Sequence, residues 1–390
     1  MTDKNMTITK IALATSALLL STPALSAGEM EYNFGGSINT VLLLDSNISG
    51  AGVNIPANTL YGKSTHGDNK LDVTLSQVSA GVKRSMHDGS TLSARYVMDF
   101  NASNNSNVSP RVREAYLRWD NGVGQVTAGQ TWSTLMDLRN LPPSVTEATF
   151  SGVAFMRQPL VRWTQSFDTF KYHLALEDGS NADISYSYDP EDKENIDNID
   201  RNKSTIDLIG AIDWDFSDQG HVYLSGLLAE KTMHYNDKEE DTFGYAVQAS
   251  AVYNLTPGHK FSIIGFQGKG VDRYILGTQD TGATWNDTEK KLELRKTKGA
   301  MAAYTRTWSP SVLSVFGVGS ASTDPLEFQE SSEASDKDTF TYTQYAVANV
   351  LWDAYENVTL GLEYNYSYYE RLSGKDRENH RVSMGVNWKF

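Results

Sequence analysis

Cysteine is absent from all 390 residues, which rules out a disulfide framework, a thiol nucleophile and any cysteine-ligated metal. Cations are in deficit: 34 Lys and Arg against 48 Asp and Glu give a net charge of −14. That argues against a nucleic-acid partner, which needs a basic face. Long apolar runs are missing too. The only one, residues 11–20, follows Lys4 and Lys10 and precedes Ser21, Thr22, Pro23 and the small-residue stretch Ala24-Leu25-Ser26-Ala27. A mostly apolar run of ten residues cannot cross a bilayer that needs ~20. Residues 1–27 therefore read as a secretory signal, cut after Ser26 or Ala27. Its loss would remove Asp3, Lys4 and Lys10, a net +1, leaving −14 − 1 = −15.

What the chain does have is alternation. In the last eleven residues, HRVSMGVNWKF, Val382, Met384, Val386, Trp388 and Phe390 share one face, and Arg381, Ser383, Gly385, Asn387 and Lys389 the other. Strict period two means that one face meets an apolar medium and the other meets water. The pattern recurs along nearly the whole chain, and a terminal Phe closing such a strand resembles the closing strand of bacterial outer-membrane barrels. A crossing strand takes only ~9–11 residues, half of them facing a wet lumen, so a polar overall composition is compatible with a membrane protein. The 30 Gly, 20 Tyr, 14 Phe and 8 Trp suit a barrel better than a helical enzyme.

Two kinds of connection take turns between the alternating segments. Short ones fall at residues 86–89, 120–122, 167–168, 215–220, 254–259, 309–310 and 353–357; long ones fall at 45–69, 101–110, 131–155, 178–203, 231–241, 271–291, 321–338 and 372–379. Seven short and eight long connections imply an all-β, antiparallel transmembrane barrel of about 16 strands over residues 28–390, with both ends on the short-turn side. The tryptophans test this separately. Trp119, Trp163, Trp214, Trp308, Trp352 and Trp388 all lie beside an expected inner turn or the C-terminus, on their strand's apolar face, as an interfacial girdle requires. A soluble sandwich or propeller has no reason to put six of eight tryptophans in one ring. No internal repeat and no plug domain is visible, and the first strand starts near Glu31, which disfavours a plugged 22-strand transporter.

The third long connection has the most distinctive sequence. From Gly124 to Gln165 the chain reads GQVTAGQTWSTLMDLRNLPPSVTEATFSGVAFMRQPLVRWTQ; Pro142-Pro143 forbids a strand, and a loop of this length calls for a role. We expect it to fold inward and narrow the lumen. Within it, AGQTWSTLMDL (128–138) and FMRQPLVRW (155–163) resemble the DcaP-like family of trimeric outer-membrane porins. The resemblance is strong over about forty residues and architectural elsewhere. It implies a homotrimer passing small negatively charged solutes, dicarboxylates among them. Founding members of that family carry an N-terminal coiled coil before the barrel, which this sequence does not show, so trimerisation would rest on the barrel walls.

Charge placement can be argued from the strands alone. Leu92, Ala94, Tyr96, Met98 and Phe100 share one face, turning Arg95 and Asp99 inward; Phe170, Tyr172, Leu174 and Leu176 leave Lys171, His173 and Glu177 inside. A Lys or Arg at mid-depth on the lipid face would cost ~2–4 kcal/mol. Arg118 and Arg162 are inward by the same parity, and Arg139 lies on the inward loop. Guanidinium groups replace part of an anion's hydration and match carboxylates bidentately, so this cluster reads as a basic constriction. Asp137 and Glu147 on the loop would form an opposing acidic wall, and Arg157 would join if a bulge at Pro159 turned it inward. Arg111 and Arg113 share parity with Ala115 and Leu117, which places them on the outer face near the rim, against lipopolysaccharide phosphates or a neighbouring protomer.

Two features read as plain. The acid-dense run 189–200 lacks the glycine and glutamate spacing of an EF-hand loop, and the seven histidines show no metal-ligand spacing, with only His173 placed in the lumen. The expectation is thus an outer-membrane porin, with no cofactor and no metal, whose partners are small anionic solutes, membrane lipid and lipopolysaccharide. Three rivals stand beside it. A general, weakly selective porin shares the architecture; an outer-membrane hydrolase would need a Ser/His pair with an orienting acid on one exposed face, which no strand supplies; an adhesin or phage receptor would use the outer loops.

Overall fold

A computed structural model describes residues 29–60, 64–102, 108–147, 149–179, 184–186, 199–200, 205–235, 238–278, 282–286, 289–331 and 339–390. The expected signal segment, residues 1–27, lies outside these residues, as does most of the acidic run 189–200.

Sixteen antiparallel wall strands close into a barrel. They are β1 (Met30–Asp45), β2 in two pieces (Asp68–Asp72 and Gln77–Ser85), β3 (Thr91–Asp99), β4 (Arg111–Asp120), β5 (Gly124–Trp132), β6 (Arg157–Ser166), β7 (Phe170–Gly179) and β8 (Thr205–Ser217, extended by Ile199–Asp200). The second half comprises β9 (Gly220–Tyr235), β10 (Lys238–Thr256), β11 (His259–Lys269), β12 (Lys296–Ser309), β13 (Val312–Thr323), β14 (Phe340–Tyr355), β15 (Val358–Arg371) and β16 (Asp376–Lys389). Closure is made between β16 and β1, from Ser37 opposite Lys389 to Asp45 opposite Arg381. The terminal residue takes part: Phe390 N donates to Gly36 O at 3.1 Å, and Gly36 N donates to Phe390 O at 3.0 Å.

The alternation has the expected cause. Met384, Val386, Trp388 and Phe390 are exposed on the outer wall while Arg381 and Ser383 are fully buried inside. Trp119, Trp214, Trp308, Trp352 and Trp388 face outward beside the inner turns. Trp163 is half-buried, because its ring covers Gly124, where a Cβ would meet it at 2.5 Å. All seven short turns occur where period two breaks in the sequence.

The outer connections depart from expectation in three places. The one placed at 231–241 is almost all strand: β9 and β10 stay paired from Gly220 opposite Tyr253 out to Tyr235 opposite Lys238. Lys231 there is fully buried on a paired strand while Glu239 and Asp241 stay exposed, so a run of charge marks strand rather than loop. Second, β2 is interrupted at residues 73–76, where the Asp72 carboxylate accepts from Thr74 N at 2.8 Å and Thr74 Oγ1 at 2.5 Å in a local turn. Third, the connection after β11 carries structure of its own. Ala283–Asn286 pairs with Lys291–Leu294 and, in parallel, with Ile184–Tyr186 of the fourth outer loop.

The third outer loop, residues 133–156, folds into the lumen as expected and is fixed to several walls. Asn140 Nδ2 donates to Ala251 O and Ile263 O, both at 3.0 Å, on β10 and β11. Ser144 Oγ and Val145 N donate to the buried Glu363 carboxylate on β15 at 2.7 and 2.9 Å. Phe150 packs edge-on against Tyr345 of β14. The segment after β11 follows it inward: Phe155 N donates to Tyr274 O at 2.8 Å and Leu276 N to Val153 O at 3.0 Å. Leu135, Met136, Ala154, Val271, Tyr274 and Ile275 make an apolar cluster with the inner faces of β7 to β13. Two loops thus fill that side of the lumen.

Candidate functional site

Strand register sets the charge pattern of the open side. Lys83 on β2 lies opposite Ser93 on β3; Ser93 lies opposite Arg118 on β4; Arg118 opposite Thr127 on β5; Thr127 opposite Arg162 on β6. One ladder row therefore reads cation, hydroxyl, cation, hydroxyl, cation. Neighbouring strands are ~4.8 Å apart, so successive cations stand roughly 10 Å apart with a hydroxyl between them. Among the described residues none of the three cations has an ion-pair partner. Arg118 reaches Thr127 Oγ1 at 3.4 Å and lies 5.1 Å over the Tyr116 ring. Arg162 Nη1 donates to Trp132 O at 3.3 Å, under the root of the inward loop.

In a second group three arginines share two carboxylates. Arg111 and Arg113 point inward, not toward lipid, and the cause is a β-bulge: Val97 pairs with Glu114 but Met98 with Val112, so Arg113 is the extra residue and the parity of the strand shifts by one. Asp99, fully buried, receives Arg111 at 2.5 Å and Arg113 at 2.6 Å. Glu147 on the loop receives Arg113 at 2.5 Å and Arg157 at 3.2 Å, and Asn54 of the first outer loop donates to it at 2.5 Å. Burial alone would raise the Glu147 carboxyl, but the guanidinium groups of Arg113, Arg157 and Arg111 outweigh it and hold it below the usual range. Arg157 is thus inward, with its guanidinium 4.0 Å over the Trp132 ring.

A third group sits below the loop on β8 and β9. Asp137 is 4% exposed, accepting from His221 Nε2 and Ser250 Oγ, each at 2.7 Å. Arg139 spans Asp213 and Asp215, meeting the latter at 2.7 Å. Lys260 Nζ donates to Arg139 O at 3.0 Å. Beneath the loop's other half, a cavity of about 360 Å³ opens toward the inner turns, lined by Arg113, Glu147, Asp353 and Lys389 among others.

Against known proteins, the family described as DcaP outer membrane protein matches residues 27–390. The chain belongs to the DcaP outer membrane protein family. Its fold is that of outer-membrane channels. The DcaP channel of Acinetobacter baumannii is 18% identical and superposes with a TM-score of 0.76, covering 95% of this chain and all of that one. An anion-selective porin from Comamonas acidovorans is 11% identical with a TM-score of 0.60, over 93% of this chain and 100% of its own. Salmonella typhi OmpF, solved with daunomycin, gives 12% and 0.58, over 92% and 97%. No curated protein sequence matches. This DcaP-family chain is accordingly a Gram-negative outer-membrane β-barrel channel.

The expected site residues of this DcaP-family barrel fall into the three groups unevenly. Arg118 and Arg162 share the unpaired row. Arg95 is inward, 3.3 Å from Glu114, and about half exposed. Lys171 lies opposite Asp213 in the β7–β8 register. Arg139, Arg157, Asp137 and Glu147 are all engaged with protein partners. The acidic wall expected from Asp137 and Glu147 does not face the solute path, since both carboxylates are taken up in networks. Lys83 shares inward parity with Gln77 and Ser79, and Asp213 with Asp215, but parity alone does not rank one inward charge above another. His221 is a lumen residue as well as His173, lying one step past an inner turn with its side chain inward.

Proposed function

We propose that this channel passes small anionic solutes by passive diffusion, organic acids with one or two carboxylates above all. The observation that carries the reading is the row Lys83, Ser93, Arg118, Thr127, Arg162, in which no described carboxylate makes an ion pair with any of the three cations, although Glu31 on β1 lies opposite Lys83. Such a row lets an anion exchange hydration for guanidinium and hydroxyl donors one strand at a time, with no single site tight enough to trap it. A spacing of roughly 10 Å between cations suits a solute carrying two separated negative groups. The fold of the Comamonas acidovorans anion-selective porin supports the same sign of selectivity.

We further infer a homotrimer, with the outer wall in contact with lipid, lipopolysaccharide and neighbouring protomers. A related fold, Vibrio cholerae OmpT, is known in a trimer form. The test of cargo is the reversal potential across a planar bilayer under a KCl gradient, followed by succinate on one side. Anion selectivity with succinate block or succinate current is expected. Cation selectivity without a succinate effect would leave a general porin.

A further inference from the structure

The inner ends of β8 and β9 bring together three side chains that the pore reading does not use as a unit. Asp215 lies directly opposite His221 in the hairpin register, and Asp213 is two residues further up the same inward face. One carboxylate oxygen from each acid and one ring nitrogen of His221 all lie within 4.8 Å of one another. Acids near a histidine are common and alone mean little. The decisive feature is His221 itself. Its ring is 4% exposed, and Nε2 meets the Asp137 carboxylate at 2.7 Å, so Nε2 must carry a proton. Asp137 is in turn fixed by Ser250 Oγ at 2.7 Å and by Arg139 N at 3.1 Å. In the neutral ring Nδ1 is then a buried lone pair; it has no hydrogen-bond partner and lies 3.8 Å from Asp213 Oδ1. Two electron-rich atoms face each other at a distance too long for a hydrogen bond.

A carboxylate accepting the far N–H of an imidazole whose other nitrogen is free is the arrangement that orients metal-binding histidines. We propose that Asp213, Asp215 and His221 form a site for a divalent transition metal of the zinc class, in competition with Arg139. The donor set is one borderline nitrogen and two hard oxygens, which suits Zn²⁺ or Cu²⁺ and leaves a coordination position open to the lumen. In the metal-free protein the Arg139 guanidinium neutralises the two carboxylates. Metal entry replaces one delocalised charge with a dication and releases Arg139, 45% exposed already, toward the pore. The site is independent of which solute the channel carries.

The test is calorimetric titration of the full chain in detergent micelles with ZnCl₂, with MgCl₂ as control. Zn²⁺ binding at one site per chain is expected, with Mg²⁺ silent. His221→Gln and Asp215→Asn should each weaken it by at least about tenfold. Arg139→Ala should tighten it roughly threefold or more, because the competing cation is gone. Binding unmoved by His221→Gln, or weakened by Arg139→Ala, would overturn the proposal, as would no binding by the wild type. Cu²⁺ spectroscopy needs no variant: the electron paramagnetic resonance spectrum of the wild type should show coupling to a single imidazole nitrogen, and two or none would also overturn it.

Discussion

A single unpaired cation in the lumen acts on a passing anion mainly through distance. At roughly 8 Å through water-like dielectric, one charge is worth ~0.5 kcal/mol, a factor of about two in occupancy. Arg118→Gln and Arg162→Gln should therefore each lower the anion-to-cation permeability ratio about twofold and the pair about fourfold, with Lys83→Gln similar. Arg111→Gln should change it less, because Arg111 is already committed to Asp99. Reversal potentials of the purified variants measure this directly; a larger shift from Arg111 than from Arg118 would move the selective site to the bulge. Glu147 behaves differently. Its carboxylate, held below the ordinary value of 4.5, ties the loop to Arg113 and Arg157, so its contribution is complete above that value and is lost as pH falls through the lowered one. Open-channel current should stay quiet from neutral pH down to about 4.5 and become noisy only in stronger acid. Glu147→Gln should bring that noise to neutral pH, since breaking a buried pair from one side costs about 3–5 kcal/mol.

At the scale of elements, two close approaches hold the barrel shut and the loop in place. Gly36 on β1 stands where any Cβ would collide with Gln77 O and meet the Phe390 ring at 2.9 Å, so only glycine lets the last strand seat. Gly299 on β12 plays the same part for the inward loop: a Cβ there would lie 2.6 Å from Gly152 Cα. Gly299→Leu should unseat the loop at an overpacking cost of ~1–3 kcal/mol, raising conductance while leaving the heat-modifiable gel mobility of the folded barrel unchanged. Gly36→Val should instead abolish that mobility shift. Strands and inner turns were legible because lipid on one side and water on the other impose period two on nearly every residue. Where both sides of a strand meet protein or water, the period fades. That is why the β9–β10 extension, with Lys231 and Thr232 fully buried, reads as a polar loop. The bulge at Arg113 was hidden for a different reason: one extra residue reverses inside and outside without leaving a mark in composition. The site was half legible, since parity finds which cations point inward but not which of them an acid has claimed.

For the whole molecule, a charge of −14 looks at odds with the anion passage proposed above until the acids are located. Asp45, Asp99, Asp207, Asp272, Glu177 and Glu363 are all nearly or fully buried, and each is engaged by an arginine, a hydroxyl or a backbone N–H. Their charge is spent on fixing the inward loops, while Lys83, Arg118 and Arg162 keep theirs for the pore. Net charge therefore gives no guide to the field a solute meets. If that field comes from unpaired cations in open water, salt must screen it: the Debye length falls from about 10 Å at 0.1 M to about 3 Å at 1 M, less than the spacing along the row. The anion-to-cation permeability ratio in KCl should thus be largest at 0.1 M and approach unity near 1 M. Succinate, if it exchanges water for direct guanidinium contacts, should keep part of its effect on current at the higher salt, because contact pairs are screened less than distant ones. Selectivity for chloride undiminished at 1 M would mean that the lumen is narrow enough to strip the ion, and the selective element would then be the inward loop rather than the wall.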